Sequence, residues 1–576
     1  MHVVARTAAV AALVAAGSGA ALAAQAPAPV AHALPLKHAP VPTGPAITPA
    51  DLMTRLYIYA DDSMMGREAG TPWNIKATAY IGDEVRRLGL QPAGDAGSYF
   101  QNVPLVRTTF DSTTGLTVDG AALAAWKDYI PRDQQAPMRP LADAATVFAG
   151  VWGDSVMLPP EQAAGKLVVL AVRPGVGPNG QPRWLVSRAA VTSRYRTAAG
   201  IAVASMDLMP PQFRAGFRNM TPQLRRTPAA DTRADSSSVP SFLYVTAATA
   251  RDFFGASIDS VRVGTTGKAV RGRLGFVEVG APARNVVAIL PGSDPTLRGQ
   301  FVAIGAHNDH VGFDNSPVDH DSLRAHNLVV RRGGAESPDR APTAAEQARI
   351  DRMLDSLRRA RPARLDSIAN GADDDGSGTV TVLEIAEQFA AAPPGSRPKR
   401  SLLFIWHTAE ELGLYGAQWF TDHPTVPRDS IVAALNIDMV GRGDSADTPG
   451  GGPGYVQLIG SRRLSTELGD LVERVNRTAR PPMTFDYQFD ANGHPQQYYC
   501  RSDHYEYARY GIPVVFFSTG GHADYHQVTD EPQYINYAHL TRVAQLIAEV
   551  AQAVANLDHR VVVDKQKPDP NGPCRQ

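Results

Sequence analysis

Apolar positions follow two different patterns along the chain. From about residue 280 they come as near-continuous runs: NVVAILPG (285–292), FVAIGAH (301–307), SLLFIWH (401–407), VAALNIDMVG (432–441) and IPVVFFSTG (512–520). Helical patterns separate several of these runs. Strands that are apolar at every position have both faces covered, so the segment predicts an α/β fold with a mostly parallel central sheet and helices on both faces. Between 115 and 275 the runs are shorter (ATVFAGVW, KLVVLAV, IAVASM, SFLYVT), with many Pro and Gly between them, which suits a smaller, β-rich inserted domain. Near the start, TPADLMTRLYIYAD (48–61) and TPWNIKATAYIGDEVRRLGL (71–90) each open on Thr-Pro, an N-cap followed by proline at the first helical position. They predict two helices over 48–90. Residues 314–369 interrupt the α/β pattern with polar, Arg-rich sequence. Within them AAEQARIDRMLDSLRRA is helical by the spacing of Ile350, Met353, Leu354 and Leu357. This stretch is expected to be a solvated insertion, with a flap over the site as the sharper alternative. The resulting division is an α/β domain over 48–114 and 276–558, the β-rich domain over 115–275, and a C-terminal tail over 559–576.

Composition narrows the function classes. The 576 residues exceed one ordinary core. Fifty-six basic against 57 acidic residues leave no electrostatic footprint for nucleic acid or for a polybasic membrane contact. The N-terminus has one Arg, an Ala/Val/Leu stretch and ALA at 21–23, the form of a secretory signal peptide over 1–24. A Pro/Ala-rich linker follows over 25–47. No later segment is long and apolar enough to span a bilayer, so a secreted or periplasmic protein without a stable membrane span is expected. Export permits a disulfide between Cys500 and Cys574, the only cysteines; two free thiols are the alternative.

Several of the apolar runs end in residues that bind metals, and others stand in loops between them. FVAIGAHNDHVG carries His307, Asp309 and His310; NGADDDGSGT carries Asp373, Asp374 and Asp375; HTAEELG carries Glu410 and Glu411; NIDMVGR carries Asp438; ADYHQVTDE carries Tyr525, His526 and Asp530. The carboxyl ends of strands in an open α/β sheet line one crevice, so residues more than 200 positions apart would meet there. Imidazoles with several carboxylates and no thiolate suit Zn²⁺. The carboxylates are too many for one tetrahedral ion, whereas two ions sharing a bridging carboxylate would use them. Taken singly, each motif has an ordinary reading: an acidic turn capping a helix, a solvated Glu pair, a packed histidine. Their joint, ordered occurrence carries the metal reading. No H-E-x-x-H is present, nor a G-x-S-x-G elbow.

GAHNDHVG, NGADDDGSG, HTAEELGLYGA, NIDMVGR and SDHYEYARYGIPVVFFSTGGHADYHQVTD together resemble the co-catalytic di-zinc aminopeptidases, the bacterial leucyl-aminopeptidase type of family twenty-eight of the metallopeptidases. The resemblance covers roughly 48–112 and 280–555; residues 115–275 resemble, diffusely, the protease-associated domain inserted in many members. It implies two Zn²⁺ per chain. His307 and Asp438 would complete one site, Glu411 and His526 the other, with Asp374 bridging by motif register. Asp309 would orient His307. Glu410 would be the general base and Tyr525 the donor to the oxyanion; Ser502, Asp503 and His504 would be structural. The gap between His307 and Asp374 is longer than in compact members. The implied activity is removal of N-terminal residues from peptides. Carboxypeptidase, dipeptidase, glutaminyl cyclase and a non-catalytic ectodomain on this scaffold are the alternatives.

Overall fold

The computed structural model describes residues 34–134, 136–176, 182–218, 222–224, 238–338 and 340–576. The expected leader over 1–24, and the first part of the linker, lie outside them.

The runs after 280 do form one sheet. Its main strands are β1 (Arg284–Leu290), β2 (Phe301–His307), β3 (Ser401–His407), β4 (Ile431–Ile437), β5 (Tyr455–Ile459), β6 (Thr484–Asp486) and β7 (Val514–Ser518), in spatial order β1-β3-β2-β4-β7-β5-β6, and two short strands, Gln91–Pro92 and Phe100–Asn102, pair with β1. The centre, β3-β2-β4-β7, is parallel, and the sheet turns antiparallel at β1 and again between β7 and β5. Every residue of β2, β3 and β4 is buried, which is why their sequences read as unbroken apolar runs. Alternate residues feed two cores. Val302, Ile304, Leu402, Phe404 and Trp406 face one side. There they meet the helices α1 (Pro49–Tyr59), α5 (Gly378–Ala391) and α9 (Tyr537–Ala555). Ala303, Leu403 and Ile405 face the other, against Phe420 of α6 (Tyr415–Asp422) and Tyr505 and Tyr507 of α8 (His504–Ala508). The two expected N-terminal helices are α1 and α2 (Pro72–Arg87), each with the Thr-Pro start.

Residues 115–275 carry a separate eight-stranded sheet. Its four central strands (141–151, 167–171, 200–204 and 241–245) run parallel, with helices at 188–194 and 247–254. This module is more α/β in character than its short runs suggested.

The insertion holds a strand pair (313–319 with 365–368), α3 (His320–Val330) and α4 (Ala344–Ala360). The expected helix is α4, opened by a Thr343–Glu346 capping box. Only Ile350 of α4 is buried, in accord with a solvated element. α3 is not solvated. Asn327 Nδ2 donates to Asp524 Oδ1 (3.0 Å) and Gln527 Oε1 (2.7 Å), Arg324 pairs with Asp524, and Arg331 donates to the Ala523 carbonyl (2.6 Å). The insertion is thus docked on the loop that carries Tyr525 and His526. Its polar sequence hid this because the docking is made of hydrogen bonds rather than an apolar stripe.

Candidate metal centre

The carboxyl ends of β2, β3 and β4 release His307, Glu410 and Asp438 at one edge of the sheet. The acidic turn before α5 faces them. In that turn two of the three aspartates are spent on the backbone. Asp375 accepts from the amides of His307 (3.0 Å), Gly378 (2.9 Å) and Met439 (3.2 Å). Asp373 accepts from Gly441 N at 2.6 Å. Asp530 in turn accepts from the amides of Asp373 (3.0 Å) and Asp374 (3.1 Å), which fixes the turn. Gly378 permits this approach, since a Cβ there would lie 2.2 Å from the Ile437 carbonyl and 2.3 Å from Asp375 Oδ1. Asp373 Oδ2 also lies 3.3 Å from His522 Nε2, but Asp374 alone turns both carboxylate oxygens to imidazoles.

Its two oxygens face different pairs. Asp374 Oδ1 is 3.1 Å from His307 Nε2, which is also 3.6 Å from Asp438 Oδ1. Asp374 Oδ2 is 3.1 Å from His526 Nε2, which is also 2.9 Å from Glu411 Oε2. Ser502 Oγ donates to Asp438 Oδ2 (2.7 Å) and accepts from Asn436 Nδ2 (2.9 Å), leaving Oδ1 for the centre. His307 Nδ1 lies 3.2 Å from the Asp309 carbonyl and 3.7 Å from the Asp309 carboxylate, whose Oδ1 accepts from Glu410 N at 3.1 Å. Asp309 therefore touches both His307 and the backbone of Glu410. Glu410 and Tyr525 line the cleft above Asp374.

One member of the cluster went without a role in the sequence. His310 Nδ1 is 2.8 Å from Glu411 Oε1 and 3.7 Å from Asp374 Oδ2, and its Nε2 has no hydrogen-bond partner. The HNDH spacing was the available signal. Asp530 stood in ADYHQVTDE and Ser502 in the SDH segment, though without the contacts they make here, and Asn436 had no signal.

This donor set fits cations. His307 Nε2 faces oxygens of Asp374 and Asp438, and a positive charge among these groups stabilises the arrangement. Asp374 Oδ2 is buried without a hydrogen-bond donor. Among the described residues, two groups of candidate ligands lie in this centre, one of His310, Asp374, Glu411 and His526, the other of His307, Asp375 and Asp438, and a third, His320, Asp366 and Glu531, lies outside it. In the second, Asp374 Oδ1 is better placed than Asp375, whose oxygens already hold three amides.

Electrostatics agree. Burial pulls the His307 pKa down, but Asp438, Asp309 and Asp374 outweigh it and hold it well above the ordinary value. His526 is likewise opposed by burial, yet Asp374 and Glu411 push it up to about 10. Burial drives Glu410 well above the usual carboxylate range, against His307 and reinforced by Glu411, Asp438 and Asp503. Burial raises the Tyr525 hydroxyl too, helped by Asp374, Glu411 and Glu410, so it stays a proton donor. Three non-glycine residues here have left-handed backbones: Ala409 (φ 56°), Met439 (φ 58°) and His526 (φ 58°). Such residues cost about 1–3 kcal/mol each and cluster at functional sites.

Residues 285–551 match the model described as peptidase family M28. Among curated proteins, leucine aminopeptidase 1 of Coccidioides posadasii is 31% identical over 197 residues, 32% of this chain and 47% of that protein. The leupeptin-inactivating enzyme 1 of Streptomyces exfoliatus is 30% identical over 174 residues, 30% of this chain and 34% of its own length. A vacuolar membrane protease of Clavispora lusitaniae is 32% identical over 139 residues, 24% of this chain and 12% of its own. The chain thus spans less than half the length of these relatives. Among solved structures it is similar to an aminopeptidase from Aneurinibacillus sp. strain AM-1, at 16% identity and a TM-score of 0.44, covering 91% of this chain and 97% of that one. Its acid-and-histidine motifs and strands β2 to β7 all fall within the segment, residues 285–551, that is similar to peptidase family M28.

Proposed function

We propose that the protein is an exported metallo-aminopeptidase that holds two Zn²⁺ ions and removes residues from the N-termini of peptides. The observation that supports this most is the division of the Asp374 carboxylate between His307/Asp438 and Glu411/His526. His307 and Asp438 would hold one ion, Glu411 and His526 the other, and Asp374 both. His310 joins them as support for Glu411. Ions bound there would supply Lewis acidity, lowering the pKa of water and polarising the scissile carbonyl.

The chain's own groups do the rest. Glu410, anchored through its amide to Asp309, takes the proton of the attacking water and returns it to the leaving amine. Tyr525 keeps its proton and donates a hydrogen bond to the developing oxyanion. Ser502 and Asn436 hold Asp438 in orientation. Residues 48–114 and 276–558 form the peptidase domain in this reading, and 115–275 is assigned as a protease-associated-like module.

Export is supported by the leader-like sequence and by the disulfide joining Cys500 to Cys574. No described helix is long and apolar enough to cross a membrane. The test is hydrolysis of aminoacyl chromogenic substrates against their N-blocked forms. Turnover restricted to the free amine is expected; turnover that survives the block contradicts an aminopeptidase and favours a different exopeptidase outcome.

A further inference from the structure

The cleft above Asp374 and Glu410 has a cationic wall that the proposed chemistry leaves unused. Arg501 lines it beside Tyr498, Tyr525 and two residues of the insertion, Ala335 and Glu336. The guanidinium lies 5.2 Å from the centre of the Tyr498 ring, and its Nη1 is 3.4 Å from Glu336 Oε1. That contact is long and weak, and with Tyr525 as a further hydrogen-bond partner of the guanidinium, donors of the fork still remain. The two side chains are 42% and 46% exposed, so the pair opens onto the cleft instead of closing off from it.

Glu336 is brought there by a built connection. Ala335 N donates to the Gly521 carbonyl at 2.9 Å, and Arg331 bridges the Ala335 and Ala523 carbonyls (3.2 and 2.6 Å). Gly334, at φ +77°, sits so close that a Cβ would lie 2.2 Å from Gly521 O. A fork of planar N–H donors, partly freed from a loosely held carboxylate, is the chemistry that receives another carboxylate in bidentate fashion. Met439 and Phe516, also in the lining, give apolar surface for the methylenes that would carry it.

We propose that Arg501 binds a carboxylate of the substrate, so that peptides presenting one beside the scissile bond are preferred, and that Glu336 is the internal ligand such a substrate displaces. This rests on the peptidase reading of the same site. Two sources share the chemistry: the side chain of an N-terminal Asp or Glu, and the terminal carboxylate of a dipeptide.

The experiment compares kcat/KM within two pairs, glutamyl-leucinamide against glutaminyl-leucinamide and leucyl-leucine against leucyl-leucinamide. The zinc-loaded enzyme, Arg501→Met, Arg501→Lys and Glu336→Gln are tested, each checked for an unchanged Tm. In one pair the wild type favours the acid, and the acid-to-amide ratio drops about tenfold in Arg501→Met, with partial recovery in Arg501→Lys. The pair that responds identifies the source. Glu336→Gln raises the ratio. A ratio that Arg501→Met leaves unchanged, whatever happens to the absolute rates, overturns the proposal and leaves Arg501 a support for Tyr525. Calorimetric titration of the same proteins with L-glutamate, L-glutamine, leucyl-leucine and its amide gives a readout independent of turnover. Arg501-dependent carboxylate binding without hydrolysis upholds the inference and defeats the peptidase reading. Hydrolysis with no carboxylate preference in either assay does the opposite.

Discussion

At the scale of single residues, the three aspartates of ADDDGS divide into two tasks, and substitutions should separate them. Asp374→Asn removes a carboxylate shared by two His–acid pairs, so zinc content by elemental analysis is expected to fall below one per chain while the fold persists. Asp375→Asn weakens or breaks three buried amide contacts. It is expected to lower stability by about 2–4 kcal/mol, read as a denaturant midpoint, because orphaned buried groups cost about 1–3 kcal/mol each. The reverse pattern would move the bridging position to Asp375. Glu410→Gln should retain zinc and lose about 10²–10⁴-fold in kcat; a variant keeping more than about a tenth of wild-type kcat removes Glu410 from proton transfer. These positions were legible in the sequence because each stands at a strand exit or in a turn facing one. His310 and Ser502 were harder to assign, since their importance comes from which atom they hold, a matter of orientation that spacing does not encode.

Among elements, α1, α2 and α5 meet at one buried cation. Arg55 of α1 pairs with Glu84 of α2 and with Glu384 and Glu387 of α5. One guanidinium cannot neutralise three carboxylates. Burial therefore raises Glu384 to about 7, against the attraction of Arg55, while Arg87 and Arg55 help hold Glu387 and Glu84 low despite burial. The sign follows from a carboxyl whose folded pKa exceeds its unfolded one: its contribution is complete below the unfolded value of 4.5 and is lost as pH rises through about 7. Chemical denaturation across that window should show a decline that Glu384→Gln abolishes; an identical slope in the variant would contradict the raised Glu384 pKa. The helices themselves were readable from Thr-Pro starts and apolar spacing, and the strands from their unbroken runs. α3 was not, because its contacts to Asp524 and Gln527 are polar.

For the molecule as a whole, the tail and the cleft are joined. The Cys500–Cys574 bond closes a loop of 74 residues and sits one residue from Arg501. Gln576 adds hydrogen bonds at Gly493, Tyr499 and Ala491 (3.0, 3.0 and 3.2 Å). Replacing both cysteines with serine is expected to cost about 4 kcal/mol on the loop-entropy scale, measured by denaturant unfolding; a cost near zero would show that the tail's other contacts suffice. The two-sheet division and the insertion's place were visible as changes in apolar pattern, but the docking of that insertion against the cleft depends on tertiary contacts that no local pattern specifies. The claim from which the rest follows is that Asp374 joins two cation sites. Anomalous diffraction at the zinc absorption edge, from crystals grown with zinc, tests it most directly. The account predicts two peaks flanking Asp374, one against His307 and Asp438 and the other against Glu411 and His526. A single peak, or peaks away from Asp374, would contradict it.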